Sequence, residues 1–362
     1  MKVLLVSERA ETINDPVFRV LESRGVVFHR IALSELRLEG GSRLARKRRR
    51  YFPDRNITGP VAEAVATFGP DLVHAGAGRP VGLAVVKALR DHQKVPVIFD
   101  HGAIGGLNLF NPFDWMTYFN RRIDKLVVPS HAMVNNWMGQ AWLRRCISAE
   151  RCAVLHHAIE QPAQADPRDR EALRSGFGLR PDEFVIGTVC TIRPIKNLPF
   201  LADAVRRLGP PFVFAVIGPA GDAAELQRLR DAGGDRLRLL GLVPRARTVM
   251  AAFDLYATPT GLPGESFGLA AVEAMSQSLP VLTMNFGGSA EIVEHNVAGL
   301  TLPPDAGHWM QAITALAAEP ERCRQMGEAG RRRAAARFSP EAIAADCLAL
   351  YRSVARGPDG RA

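Results

Sequence analysis

An α/β protein built as two doubly wound domains is what this sequence predicts, and three observations predict it. Short apolar runs alternate with longer amphipathic stretches, the rhythm of strand–helix–strand units around a parallel sheet. The rhythm breaks at a segment rich in proline and charge, then starts again. The chain has 362 residues, which at roughly 100–200 residues per domain leaves room for two cores.

Each element follows from its residues. The first series of buried strands is expected at residues 3–6 (VLLV), 26–33, 71–76, 96–102 and 125–130, with helical stretches such as 81–94 between them. The segment 161–183 reads as a linker plus a short helix. A second series of strands is expected at 185–192, 212–218, 237–243, 255–260 and 280–285. Residues 340–356 read as a terminal amphipathic helix. The expected division is residues 1–161, residues 162–338 and a closing segment, 339–362. Open sheets in tandem bind ligands beyond their strand carboxyl ends, here expected to face a central cleft.

Composition excludes several classes. Hydrophobic residues make up 47% and charged residues 23%, which argues against a mainly disordered chain. Lys plus Arg number 46 against 37 Asp plus Glu, so the net charge of +9 draws the protein towards anionic partners. The cysteines Cys146, Cys152, Cys190, Cys323 and Cys347 form no CxxC pair, which disfavours zinc ribbons and disulfide scaffolds and fits a reducing cytosol. The opening MKVLLVSERAE has too short an apolar stretch for a signal peptide, and no uncharged apolar run reaches the ~20 residues that span a bilayer. No Gly-x-Gly-x-x-Gly follows the first expected strand, which disfavours a dehydrogenase.

The segment 259–304, PTGLPGESFGLAAVEAMSQSLPVLTMNFGGSAEIVEHNVAGLTLPP, is the richest in chemistry. Glu265 lies in a Gly/Pro loop and Glu273 lies eight residues on, about 2.2 helical turns, which puts both carboxylates roughly on one face. Ser266, Phe267 and Gly268 are expected to open a helix whose free N–H groups make an anion site. Gly264 and Gly268 are expected to let a ligand approach the backbone. On pattern alone, a capped surface helix with a solvated Glu273 reads equally well. A second strand, glycine turn (Gly287, Gly288) and helix follow.

This ordered series resembles the C-terminal signature of glycosyltransferase family 4: retaining nucleotide-sugar glycosyltransferases of the GT-B fold. The family's Glu-x7-Glu falls on Glu265 and Glu273, and its Gly-Gly-x-x-Glu-Ile-Val falls on Gly287, Gly288, Glu291, Ile292 and Val293. The stretch FVIGTVCTIRPIKNLPFLADAV resembles the family's phosphate loop, with Lys196 as its lysine; Thr191 stands where the usual arginine does, so Arg193 takes that role. Gly218 sits at the turn after the next matching strand, and Asp254, before the strand leading to Glu265, is expected to be structural.

The resemblance implies two Rossmann-like domains, an N-terminal one for the acceptor and a C-terminal one for the donor, with the last helix returning to the first domain. It assigns Glu265 to the transferred sugar's hydroxyls and Glu273 to the nucleotide ribose, with Ser266, Phe267, Gly268, Leu269, Gly264 and Gly218 beside the donor. Arg193 and Lys196 would offset the diphosphate charge as the nucleotide departs. The chain holds no Asp-x-Asp, so no metal and no cofactor are expected, only a co-substrate, a UDP- or GDP-sugar. Transfer with retention is expected without a protein nucleophile: the leaving phosphate oxygen takes the acceptor's proton while its hydroxyl attacks the same face.

In the first half, GPDLVHAG and PVIFDHGAIGG resemble family stretches and place His101 near the reaction centre, a loop histidine in its plain reading. KLVVPSHAMVNNW places Ser130 near the acceptor. The first loop, SERAETINDP, departs most from the family and offers Glu8 to a polar acceptor. VLHHAIE departs too, with His157, Ala158 and Glu160 where the family's hinge has Asn, Gly and Asp.

The run RLARKRRR carries Arg43, Arg46, Lys47, Arg48, Arg49 and Arg50. It is expected to touch an anionic membrane surface, slightly ahead of a solvated loop, and nucleic acid is ranked last. The resulting expectation is a cytoplasmic glycosyltransferase, peripheral on the inner face of the plasma membrane. It would act on a glycan or lipid-linked acceptor in surface polysaccharide or lipopolysaccharide assembly. The alternatives are a GT-B-like sugar-nucleotide 2-epimerase and a non-catalytic nucleotide- or glycan-binding protein with a degenerate site.

Overall fold

The computed structural model describes residues 1–36, 55–102, 107–161, 167–244 and 246–355. The chain divides into two compact units: the described residues of Met1–Ala158 with those of Pro340–Ala362, and those of Ile159–Ser339. Each unit is built on a six-stranded sheet whose strands all run parallel.

Unit 1 contains β1 (Lys2–Ser7), β2 (Val27–Ala32), β3 (Leu72–Ala75), β4 (Val97–Asp100), β5 (Lys125–Val128) and β6 (Cys152–Val154). They lie in the order β2-β1-β3-β4-β5-β6. Its central strands β1, β3, β4 and β5 are mainly apolar because both faces are covered, whereas the edge strand β2 carries His29 and Arg30 and is largely exposed. In β1 the alternation is explicit: Leu4 and Val6 join the cluster with Val61, Val65 and Val81, on the helices Arg55–Phe68 and Arg79–Ala88. Val3 and Leu5 join the opposite cluster, with Phe18 and Leu21 of helix Asp15–Ser23. Ile343, Ala344, Cys347 and Tyr351 complete that cluster as a helical stripe on Pro340–Ala355.

Unit 2 contains β7 (Phe184–Val189), β8 (Phe212–Ile217), β9 (Leu237–Gly241), β10 (Leu255–Thr258), β11 (Val281–Met284) and β12 (Gly299–Leu302). The order β12-β11-β10-β7-β8-β9 makes β7 and β10 central neighbours whose connections leave in opposite directions. That is the topological switch point, where open α/β sheets bind ligands beyond the strand carboxyl ends. In unit 1 the switch point lies between β1 and β3. Asp254 ties the amino ends of β10 and β7 together: it accepts from the Val185 N–H at 2.7 Å and pairs with Arg170 at 2.5 Å.

Each sheet has one strand more than the sequence pattern predicts. The unforeseen strands are β6 and β12, of three and four residues, each at the edge of its sheet, and β6 is only half buried. The helix expected at 81–94 spans Arg79–Ala88 instead. Among the described residues, no helix is long and apolar enough to cross a membrane.

Candidate active site

The loops that follow β7 and β10 converge at the switch point of unit 2. The Gly261 N–H donates to the Ile195 carbonyl at 2.8 Å, locking one loop to the other. Across that junction Lys196 Nζ lies 2.6 Å from Glu265 Oε1. The Thr260 hydroxyl donates to the same oxygen at 2.7 Å, and Thr258 Oγ1 lies 3.1 Å behind Thr260 Oγ1. Lys196 and Glu265 are 17% and 19% exposed, so both heads are reachable yet held. An ammonium has three donors, which leaves Lys196 able to keep Glu265 while meeting a second anion. Asn197 supports the turn in the left-handed region at φ 51°, which asparagine tolerates better than most residues.

Arg193 precedes the short turn Pro194–Lys196 and is exposed on the same loop. Burial pushes the Cys190 thiol up to about 11, while Lys196 pulls it down, Glu265 pushes it up and Arg193 pulls it down. The cations expected to meet a diphosphate therefore share one neighbourhood with Glu265.

The second half of the site corrects several expectations. The helix begins at Leu269, after Gly268, so Glu265 stands outside it, and helical spacing does not relate the two acids. The buried Tyr256 hydroxyl is raised well above its ordinary value by burial first, then by Cys190, Glu265 and, least, Glu273, with a hydrogen bond to Thr188 acting against them. Glu273 itself is raised by burial, with Arg247 acting against it.

Phe267 is 2% exposed and packs edge-on against Phe338 at 5.7 Å, so its side chain belongs to the core rather than to a donor. Leu269 packs half-buried on the same core. Gly264 and Gly268 do not open the backbone on their Cβ side. A Cβ there would meet Gly287 Cα at 2.7 Å and Ser289 Oγ at 2.6 Å. At Gly288 it would meet the Ser266 carbonyl at 2.5 Å. The two glycine turns are thus packed backbone on backbone, sealed by the Gly288 N–H to the Glu265 carbonyl at 2.7 Å. Gly218, at φ 141°, is needed for a similar reason: a Cβ would meet the Cys190 carbonyl at 1.9 Å.

The N-terminal candidates lie in unit 1. A cavity of about 340 Å³ opens at its switch point, lined by residues including Glu8, Asp100, His101 and His157. His101 is buried, its N–H donating to the Val127 carbonyl at 2.8 Å and its ring set between Tyr118 and Trp137, at 4.6 and 5.3 Å. Ser130 is fully buried and caps the helix His131–Gly139, accepting from the Met133 N–H at 3.3 Å; the cap uses the hydroxyl expected at the acceptor. In the VLHHAIE stretch, Ala158 is core and the Glu160 carbonyl accepts from Arg247. The basic run Arg43, Arg46, Lys47, Arg48, Arg49 and Arg50 lies outside the described residues.

Sequence reasoning passed over Thr260, Asp100, His74 and Tyr351. Thr260 and Asp100 stand inside the very stretches that carried Glu265 and His101. His74 is the histidine of GPDLVHAG, the stretch that resembles the family's Pro-Asp-x-x-His, and no role was read for it; Tyr351 carries no local signal, because its role depends on contact between distant segments. Among the described residues, no group of three or more His, Cys, Asp or Glu is placed to hold a metal ion.

Residues 169–333 match the family model described as glycosyl transferases group 1. That match lies within unit 2, Ile159–Ser339. A D-inositol 3-phosphate glycosyltransferase of Segniliparus rotundus is 37% identical over 205 residues, 53% of this chain and 44% of that protein. The chain thus spans less than half the length of that curated relative. A crystal structure of a glycosyltransferase from Rickettsia africae superposes with a TM-score of 0.79 at 16% identity, covering 98% of this chain and 99% of that one. The Anabaena protein Alr3699/HepE in complex with UDP-glucose gives 0.73 at 18%, covering 98% and 100%. At these identities the likeness shows the fold: two Rossmann-like units, the GT-B class that the sequence resemblance implied.

Proposed function

We propose that this chain is a retaining, metal-independent glycosyltransferase that moves a sugar from a nucleoside diphosphate donor to a hydroxyl of a glycan or lipid-linked glycan. The observation that carries the reading is the Lys196–Glu265 pair at the switch point of unit 2. A carboxylate there accepts hydrogen bonds from sugar hydroxyls, and the adjoining ammonium, with Arg193 on the same loop, meets the diphosphate. As the sugar–phosphate bond breaks, negative charge grows on the leaving phosphate oxygen. Fixed cations stabilise that charge more than they stabilise the bound donor, which is the condition for lowering a barrier. Glu273, held near its proton by burial, is suited to a ribose hydroxyl.

The reading of the donor as a UDP-sugar draws on the UDP-glucose complex of the Anabaena protein. Assembly of surface polysaccharide or lipopolysaccharide, on the inner membrane face, stays part of the proposal as its outermost layer.

A thermal-shift panel of UDP, GDP, ADP, CMP and UDP-glucose, with and without EDTA, tests it. Stabilisation follows RT ln(1 + [L]/Kd), about 2.7 kcal/mol at 100 Kd. A shift with one nucleotide family, unchanged by EDTA and lost in Lys196→Ala, is expected. A shift that EDTA abolishes overturns the metal-free part, and no shift with any nucleotide overturns the donor site.

A further inference from the structure

The cavity of unit 1 holds a feature that the resemblance does not assign. Asp100, the last residue of β4, lines it and is 22% exposed. Behind it stands His74 of β3, 1% exposed, with Nε2 at 2.8 Å from Asp100 Oδ1. The other ring nitrogen, Nδ1, lies 2.6 Å from the hydroxyl of Tyr351, which is 0% exposed on helix Pro340–Ala355.

A neutral imidazole has one donor and one acceptor nitrogen. The Asp100 carboxylate only accepts, so Nε2 carries a hydrogen, and in the neutral tautomer Nδ1 accepts from the Tyr351 O–H. The chain is therefore directed: tyrosine to histidine to carboxylate. It holds Asp100 through Oδ1, and Asp100 lines the cavity and is partly exposed there.

The charge around that carboxylate narrows the ligand. Among the described lining residues, Glu8 and Glu11 add two further carboxylates against one guanidinium, Arg9. His157 also lines the cavity, and burial holds its pKa below the ordinary value, against the pull of Asp100, so it stays neutral near pH 7. A phosphomonoester brings close to two negative charges and would meet like charge in a partly desolvated site. A ring of hydroxyls brings donors that carboxylates accept without that penalty.

We propose that this cavity binds an uncharged, hydroxyl-rich ring, a polyol or sugar without phosphate, with Asp100 as its anchoring residue and His74 and Tyr351 as positioning residues. This deepens the proposed function by naming the acceptor's class, and it differs from the phosphorylated substrate in the name of the Segniliparus rotundus relative.

The test is ligand-observed NMR binding on the full chain with myo-inositol, methyl α-glucoside and methyl α-mannoside, each set against its phosphomonoester. At least one neutral member is expected to bind at least tenfold more tightly than its phosphate. Asp100→Asn and His74→Gln should each weaken it at least fivefold. Tyr351→Phe, which keeps the ring's volume, should weaken it two- to fivefold, and the variants' UDP-induced thermal shift should stay at the wild-type value. Phosphates binding as well as or better than the neutral rings, no neutral ring binding, or unchanged affinity in Asp100→Asn would each overturn the proposal. The UDP shift, which belongs to unit 2, separates such a failure from failure of the glycosyltransferase reading. Loss of that shift together with loss of fold in Tyr351→Phe would make the tyrosine merely structural.

Discussion

The Lys196–Glu265 site and the Asp100 cavity occupy the same place in the same kind of sheet, beyond the strand ends at a switch point, yet they are assembled differently. The first joins two loops of one unit, 69 residues apart, and each loop carries its chemistry in a few consecutive residues. The second draws His74 and Tyr351 together across 277 residues. The proposed diphosphate site is therefore a local motif, and the cavity is a property of the folded unit.

The largest effect that would break or sharpen this comparison is expected at the loop pair. Lys196→Ala and Glu265→Gln should each lower turnover about 100-fold or more, about 3 kcal/mol of transition-state stabilisation. They should separate in binding: Lys196→Ala loses the UDP-induced thermal shift, and Glu265→Gln keeps it, since the proposed partner of Glu265 is the sugar. Near-normal turnover in either variant would remove the assignment. Next, Gly288→Ala forces a Cβ against the Ser266 carbonyl and Phe267 Cα, at 2.5 and 2.8 Å, and should destabilise unit 2 by about 1–3 kcal/mol. Gly102→Ala, on the cavity of unit 1, meets nothing within 4 Å and should leave the melting temperature unchanged. Equal melting temperatures for the two variants would mean that the glycine turns are not tightly packed.

Two smaller effects follow from burial. The folded state lowers the pKa of His157 from its ordinary 6.5, so it binds that proton less readily than the unfolded chain does. The associated stability is whole above pH 6.5 and drains away as pH falls through the folded value. His157→Asn should flatten the acid limb of a melting-temperature profile; an unchanged limb would place the acid sensitivity elsewhere. Glu273 works in the opposite sense. Its carboxyl is raised above 4.5, so the stability linked to its proton is whole below that pH and lost as pH rises through the folded value. Glu273→Gln should therefore raise the melting temperature slightly at pH 7 and leave it unaltered at acid pH, while weakening UDP.

Much of this was legible in the chain. The central strands β1, β3, β4, β5, β7, β8, β10 and β11 read as apolar runs; of the four edge strands, β2 and β9 were legible from their apolar residues, and β6 and β12 were not. Glu265, Lys196 and Arg193 were legible because a loop motif carries them. Ser130 misled because its cap, a bond to its own helix, looks the same in sequence as a free hydroxyl beside a strand end. Phe267 and Gly268 misled because residues that pack two turns together share a segment with those that face a ligand. Asp100 was hidden beside His101, and nothing local distinguishes a carboxylate gripped from behind from one in solvent.

The stripe of Ile343, Ala344, Cys347 and Tyr351 in the core of unit 1 has a consequence for synthesis. Domains ordinarily fold in the order in which they leave the ribosome. Here the second unit, Ile159–Ser339, has its whole core available before the first one does. The sheet made first must wait, with Val3, Leu5 and Phe18 uncovered, until residues 340–355 emerge to close it. During that interval the nascent chain offers a chaperone a defined apolar face, and the hydroxyl that orients Asp100 arrives only with the segment that ends the wait.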